Sequence, residues 1–253
     1  MNIAVITGAS SGLGREFCLQ LDALFHRMDE IWLIARREER LTELAAAMRN
    51  KTRIFVLDVT NEKQMDGFVK TLEEEKPVVR MLVNCAGFGL MGDFADLEYK
   101  EQIGMLEVNC KALTRMTYEC IPYMRKNSRI IQLASSAAFL PQPCFAVYAA
   151  TKSYVLSFSR ALSEELRKRQ IYVTAVCPGP VETEFFDIAE RYGKTLAVKK
   201  LTIVQPERVV RDALTDSRKR KPVSVCSVWI KLFYVCTSLI PHTVILKMMR
   251  FLK

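Results

Sequence analysis

The chain has 253 residues, half of them hydrophobic, which is enough to bury the core of one domain of α/β size. Its eight cysteines, at 18, 85, 110, 120, 144, 177, 226 and 236, form no C-x-x-C pair, which excludes the usual signatures of a disulfide framework or zinc site and predicts reduced core thiols. The net charge of +9 at pH 7 is uneven: residues 1–190 hold 23 Lys/Arg against 25 Asp/Glu, and residues 191–253 hold 14 against 3.

The first residues, Met1 to Ala9, run straight into a strand and a glycine loop. They lack the basic region, apolar run and cleavage site of a signal peptide, and a cytoplasmic location is expected. Ile3 to Ile6 is the strand, Thr7-Gly8-Ala9-Ser10-Ser11-Gly12-Leu13-Gly14 the loop, and a helical pattern with Phe17, Leu21 and Leu24 on one face follows. Strand, glycine loop and helix N-terminus together suit a pyrophosphate, because the backbone approaches closely and the helix offers free N–H groups. Ile31 to Ala35 is a second strand. It ends in Arg36-Arg37, where an acidic residue for a ribose 2′-hydroxyl would discriminate against a 2′-phosphate. Arg36 would pair with that phosphate, so the sequence favours NADP(H) over NAD(H); the alternative places Arg36 on the solvated face of the helix Glu38 to Met48.

Ile54 to Leu57 is a third strand, ending in Asp58-Val59, and Met81 to Val83 a fourth, ending in Asn84-Cys85-Ala86-Gly87. Amphipathic helical segments cover 61–75 and 98–125. The alternation predicts an α/β protein, a parallel sheet covered on both faces with ligands at the carboxyl ends of its strands. After a strand at Arg129 to Leu133 come Ser135 and Ser136, then Tyr148 and Lys152. On a helix these last two share a face. The ammonium would favour the phenolate, and a phenol lowered from its usual pKa near 10 exchanges protons at neutral pH.

Together these features resemble the short-chain dehydrogenase/reductase family, hydroxysteroid dehydrogenase-like and 3-oxoacyl reductase-like members above all. The likeness rests on the glycine loop, Asp58-Val59, Asn84-Cys85-Ala86-Gly87, Asn109, Ser135, Tyr148-x-x-x-Lys152 and Pro178-Gly179-Pro180-Val181-Glu182-Thr183. It implies a single-domain Rossmann fold, a doubly wound parallel sheet over residues 1–222; residues 223–253 lie beyond the resemblance and read as an amphipathic extension. It also implies roles. Tyr148 is the proton donor or acceptor, Lys152 holds the nicotinamide ribose and lowers the Tyr148 pKa, and Ser135 binds the substrate oxygen, with its neighbour Ser136 as the alternative. Asn109 links Lys152 to a water chain, or else caps a kink in a long helix. Cofactor contacts fall on Gly8, Ser10, Ser11, Gly12, Leu13, Gly14, Arg36, Asp58, Val59, Asn84, Ala86, Gly87, Tyr148, Lys152, Pro178, Gly179, Val181 and Thr183. The implied reaction is NADP(H)-dependent interconversion of a secondary alcohol and a ketone, without a metal; His26 and His242, the two histidines, lie outside every motif. Phe88, Leu90, Met91, Phe139, Pro141, Cys144, Phe145, Phe185, Phe186 and Ile188 would give an apolar substrate site. A hydroxysteroid or bile acid is the first expectation and a 3-oxoacyl group the second; a non-catalytic, membrane-recruited NADP(H)-binding adaptor is the rival outside enzymology. A homo-oligomer is expected and nucleic acid is not, since aromatic and basic residues do not interleave on a binding module.

The C-terminus departs from the family. In a helical register Ser224, Ser227, Lys231, Tyr234 and Ser238 form one stripe, opposite Val225, Val228, Trp229, Leu232, Val235, Cys236 and Leu239. Three readings stay open: peripheral membrane binding, with Trp229 at headgroup level and Lys247, Arg250 and Lys253 on anionic lipid, a cap over the substrate pocket, or a dimer contact.

Overall fold

The computed structural model describes residues 1–24, 28–193 and 203–250. His26 and Lys253 lie outside them, as does the side chain of Arg250. Seven parallel strands stand in the order β3-β2-β1-β4-β5-β6-β7: β1 (Asn2–Thr7), β2 (Glu30–Ala35), β3 (Thr52–Val56), β4 (Val78–Asn84), β5 (Arg129–Leu133), β6 (Tyr172–Val176) and β7 (Val223–Ser224). The central strands are apolar on both faces, as a sheet covered on both sides requires. Alternate side chains serve different layers. Ala4, Ile6, Ile31 and Leu33 pack with α1 (Gly12–Leu24), α2 (Glu38–Ala47) and α8 (Pro206–Arg218). Ile3, Val5, Trp32 and Ile34 pack with α3 (Glu62–Glu75), α5 (Leu113–Cys120) and α6 (Ala146–Glu165). In α1, Phe17 and Leu21 are buried as the pattern predicts, whereas Leu24, at the helix end, is exposed. Local chemistry sets the boundaries: Asn61 caps α3 by accepting from the Gln64 amide, and Lys76 ends that helix in the left-handed conformation.

The chain builds β1 to β3 outward and then returns to lay β4 beside β1. The crevice at that reversal, outside the carboxyl ends of the strands, is where such sheets bind ligands. The predicted helix over 98–125 is two α-helices, α4 (Tyr99–Leu106) and α5, joined by a π-helical turn at Glu107–Ala112. The C-terminal segment differs from its expected register. Ser224 belongs to β7, where its carbonyl accepts from the Cys177 amide and its hydroxyl donates to Asp216; α9 starts only at Val228 and runs to Leu239, with α10 (His242–Arg250) after it. Tyr234, placed by the sequence on the stripe opposite the apolar residues, packs against Phe139 with ring centroids 4.6 Å apart.

Candidate active site

The loops after β1, β4, β5 and β6 converge on a cavity of about 440 Å³. Ser11, Gly12, Leu13 and Gly14 border one end, and Gly87, Ser135, Tyr148, Lys152, Pro178, Gly179, Val181 and Thr183 line its middle. The glycine loop is a cradle that side chains would fill. A Cβ on Gly14 would collide with the carbonyl oxygen of Gly8, so the first turn of α1 can come this close to the loop only without one. Behind it, Thr7 Oγ1 accepts from the backbone amides of Cys85 and Ala86, both at 3.1 Å, and ties the end of β1 to the loop after β4.

Tyr148 and Lys152 lie one turn apart on α6, both buried. The lysine ammonium stands 5.6 Å from the centre of the phenol ring and donates to the Leu133 carbonyl at 2.7 Å. The expected lowering of the phenol is not what this geometry produces. Burial pushes Tyr148 up to about 12, against a hydrogen bond with Ser135 that lowers it. Burial also brings Lys152 down to about 8. The physical reason is shared: a closed apolar wall penalises both phenolate and ammonium. The neighbouring thiols of Cys85 and Cys177 are pushed up to about 12 by the same burial and stay neutral. Ser135, just past β5, also accepts from the Ala137 amide through its hydroxyl. Asn109 sits fully buried in the π turn, which widens the helix at this point. Its amide donates to the Phe88 carbonyl (2.9 Å) and to Thr151 Oγ1 (3.0 Å), and its oxygen accepts from the Phe88 amide (3.1 Å). It therefore pins the Phe88 loop to α6.

At the far end, the arginine turned onto the glycine loop is Arg37, which the sequence reading left without a role. Its guanidinium donates to Ser10 Oγ (3.0 Å) and Ser11 Oγ (2.6 Å), and Arg37 and Arg40 both hold Glu184 (3.1 and 2.6 Å). Those two arginines keep the Glu184 carboxyl below its usual pKa. Arg36 is exposed and reaches Asp58 at 3.6 Å. Against its burial, bonds from Thr60 and the Arg36 charge lower the Asp58 carboxyl. Val59 packs against the core layer of α3, and Gly8 backs onto Ala86. The side chain of Asn84 is turned away from the cavity: its amide donates to Thr117 Oγ1 and Gln132 Oε1, both at 2.9 Å, in the buried layer between β4, β5 and α5. A polar group in mid-sheet needs such partners.

Of the residues expected to meet substrate, Phe88, Met91, Phe145, Phe185 and Phe186 line the cavity, as does Ile188. Leu90, Phe139, Pro141 and Cys144 do not line it and are corrections. Leu90 is buried in the cluster behind the wall, and Phe139 faces Phe233 and Tyr234 of α9. Gln142, Ile230 and Phe233 complete the wall without having been singled out beforehand. Gly89 was not singled out either: a Cβ there would run into the Tyr148 ring, and the phenol keeps its place because that residue has no side chain.

The sequence profile of the short chain dehydrogenases matches residues 2–191. The chain belongs to this family. It is 32% identical to an uncharacterized oxidoreductase of Staphylococcus epidermidis over 75% of this chain and 83% of that one. With sulfoacetaldehyde reductase 2 of Chromohalobacter salexigens the identity is 36%, over 73% and 74%. Among solved structures, a short-chain dehydrogenase from Sphingobium yanoikuyae in complex with NADPH superposes with a TM-score of 0.80 at 26% identity, covering 94% of this chain and 95% of the other. As a short-chain dehydrogenase the protein is an oxidoreductase acting on CH–OH groups with a nicotinamide cofactor.

Proposed function

We propose that this enzyme interconverts an apolar secondary alcohol and its ketone with NADP(H), Tyr148 exchanging the proton. The observation that carries this reading is the single cavity joining the glycine cradle to the Tyr148–Ser135 pair, with an aromatic and aliphatic wall beyond. The cradle fits a dinucleotide: loop amides and the start of α1 suit a pyrophosphate, Arg37 and Arg36 suit a 2′-phosphate, Gly87, Pro178, Gly179, Val181 and Thr183 border the remaining path, and Asp58 and Ala86 would add contacts from beside it. Bound there, the nicotinamide supplies or accepts the hydride at the carbinol carbon. Everything else falls to the chain. Ser135 and Tyr148 hold the substrate oxygen by hydrogen bonds. In reduction Tyr148 gives its proton to that oxygen as the hydride reaches carbon; in oxidation it takes the proton away. A phenol held near 12 is protonated at neutral pH, which supports reduction as the readier direction. Lys152 holds the ribose and faces the phenolate that reduction leaves, and Asn109 positions α6 and the Phe88 loop around both.

Among the described residues lining the wall, Lys152 and Glu184 are the charged ones. That argues against a small anionic aldehyde such as the one in the name of the Chromohalobacter relative, and supports a hydroxysteroid or bile-acid-like ketone, with a 3-oxoacyl group next. The test is NADPH consumption with steroid, bile-acid, 3-oxoacyl and sugar ketones. Turnover of an apolar ketone that falls about 10²–10⁴-fold in Tyr148→Phe, with NADPH affinity kept, is expected. A Tyr148→Phe enzyme within tenfold of wild type sinks the proton role.

A further inference from the structure

Helix α9 has two apolar faces, and the body of the protein covers one. Ile230, Phe233, Tyr234 and Thr237 turn inward; Ile230 and Phe233 reach the cavity wall. On the other side Val228, Trp229, Leu232, Val235 and Leu239 are each 50–77% exposed. At 3.6 residues per turn these five fall within an arc of about 120°, and exposed Lys231 borders it. The following residues Ile240 and Val244 continue the exposed apolar surface, with Lys247 exposed beyond them. From Ser217 to Lys253 the chain has eight Lys or Arg and no Asp or Glu.

We propose that this face binds an anionic lipid surface, lying along it, and that the enzyme draws its apolar alcohol or ketone from that surface; the second half rests on the function proposed above. A lipid surface meets each feature of the patch. Leu232, Val235 and Leu239 gain an apolar phase, the Trp229 indole suits the headgroup level, and Lys231 and Lys247 gain anionic partners. A second copy of the chain does not. Self-pairing of the patch sets lysine against lysine in a segment without a carboxylate. Among the described residues no helix is long and apolar enough to cross a membrane, so the contact is peripheral. Because the inner face of α9 is cavity wall, the bound surface lies one helix diameter, ~10 Å, from the substrate site.

The full-length protein tests this directly. Of its two tryptophans, Trp32 is fully buried and Trp229 largely exposed, so a change in tryptophan emission on adding vesicles reports Trp229. Phosphatidylcholine vesicles containing phosphatidylglycerol should sediment the protein and shift its emission to the blue; pure phosphatidylcholine should do so at least tenfold less, and raised salt should reverse the effect. Leu232→Ser combined with Val235→Ser, both on exposed positions outside the cavity wall, should weaken binding tenfold or more and leave kcat for a water-soluble ketone unchanged. For a ketone dissolved in the anionic vesicles, the wild type should show an apparent KM severalfold lower than the variant's. Absence of sedimentation with anionic vesicles overturns the proposal. So does a concentration-dependent dimer that the double substitution dissolves while vesicle binding stays absent. Equal KM values for the two proteins overturn the claim on substrate supply. An enzyme that binds vesicles yet turns over no alcohol or ketone refutes the proposed reaction instead, and leaves the lipid surface standing.

Discussion

The two ends of the cavity are built differently. The end proposed for the cofactor is shaped first by backbone, a loop whose form depends on missing side chains, with a few short polar side chains tying it down: Thr7 joins two strand ends, and the Arg37 guanidinium rests on two serine hydroxyls. The substrate end is made of side chains contributed by separate stretches near residues 88–91, 142–145, 185–188 and 230–233. Backbone geometry holds one chemistry in place, whereas a wall of side chains can change its shape one residue at a time.

The sharpest way to break this contrast is to add the same methyl group to each end. Gly14→Ala drives a Cβ into the Gly8 carbonyl, and Gly89→Ala drives one into the Tyr148 ring. Overpacking of this kind costs about 1–3 kcal/mol, up to roughly a hundredfold. The first should appear as lost NADPH affinity and the second as lost kcat with affinity kept. NADPH fluorescence titration beside steady-state kinetics separates them, and the same loss of affinity in both would end the distinction. At the cofactor end, Arg37→Ala should weaken NADPH by ten- to a hundredfold, since charge-assisted bonds contribute about 1.5–3 kcal/mol. Arg36→Ala should cost less, its guanidinium being exposed beside Asp58. Both should leave NADH affinity nearly unchanged, and a larger loss for Arg36→Ala would return the main phosphate contact to that residue. At the substrate end, Phe233→Ala should raise KM for an apolar ketone severalfold without touching cofactor affinity; an unchanged KM would remove α9 from the substrate wall.

The smallest effect is on stability. Burial lowers Lys152 to about 8 in the folded chain, below the roughly 10.4 of an unfolded lysine. Between those values the unfolded chain holds a proton that the folded one has shed, so stability rises with pH across that window. Below pH 8 the buried ammonium carries its full penalty. Lys152→Met should therefore melt a few degrees higher at pH 7, although inactive, and the gap should narrow as pH climbs from 8 to 10. Melting curves of both proteins across that range check it; a constant gap would mean that Lys152 is not desolvated.

What the sequence revealed of these two ends follows from the same difference. The glycine loop, the Tyr148–Lys152 spacing and the order of strands are local patterns, and the fold they predict is the one observed. Side-chain direction is not local: Met91 lines the cavity while its neighbour Leu90 is core. The phenol was expected to fall because an ammonium stands one turn away, and it rises because burial, which spacing does not encode, outweighs the lowering hydrogen bond with Ser135. Helix α9 was legible as amphipathic, but it is apolar nearly all round, so its pattern did not decide that Ile230 and Phe233 face the cavity and Trp229 faces outward.

The π turn at Glu107–Ala112 acts as a phase shifter. Its wider winding holds one residue more than an α-helical turn, so everything after it is rotated by about 100° relative to a continuous helix. Upstream Gln102 and Met105 face the core, in the turn Asn109 grips the Phe88 loop, and downstream Met116, Thr117 and Cys120 meet the sheet. Deleting a single residue between 107 and 112 would restore ideal winding and put these contacts out of step with one another. The length of this turn is thus as much a part of the site as any side chain in it.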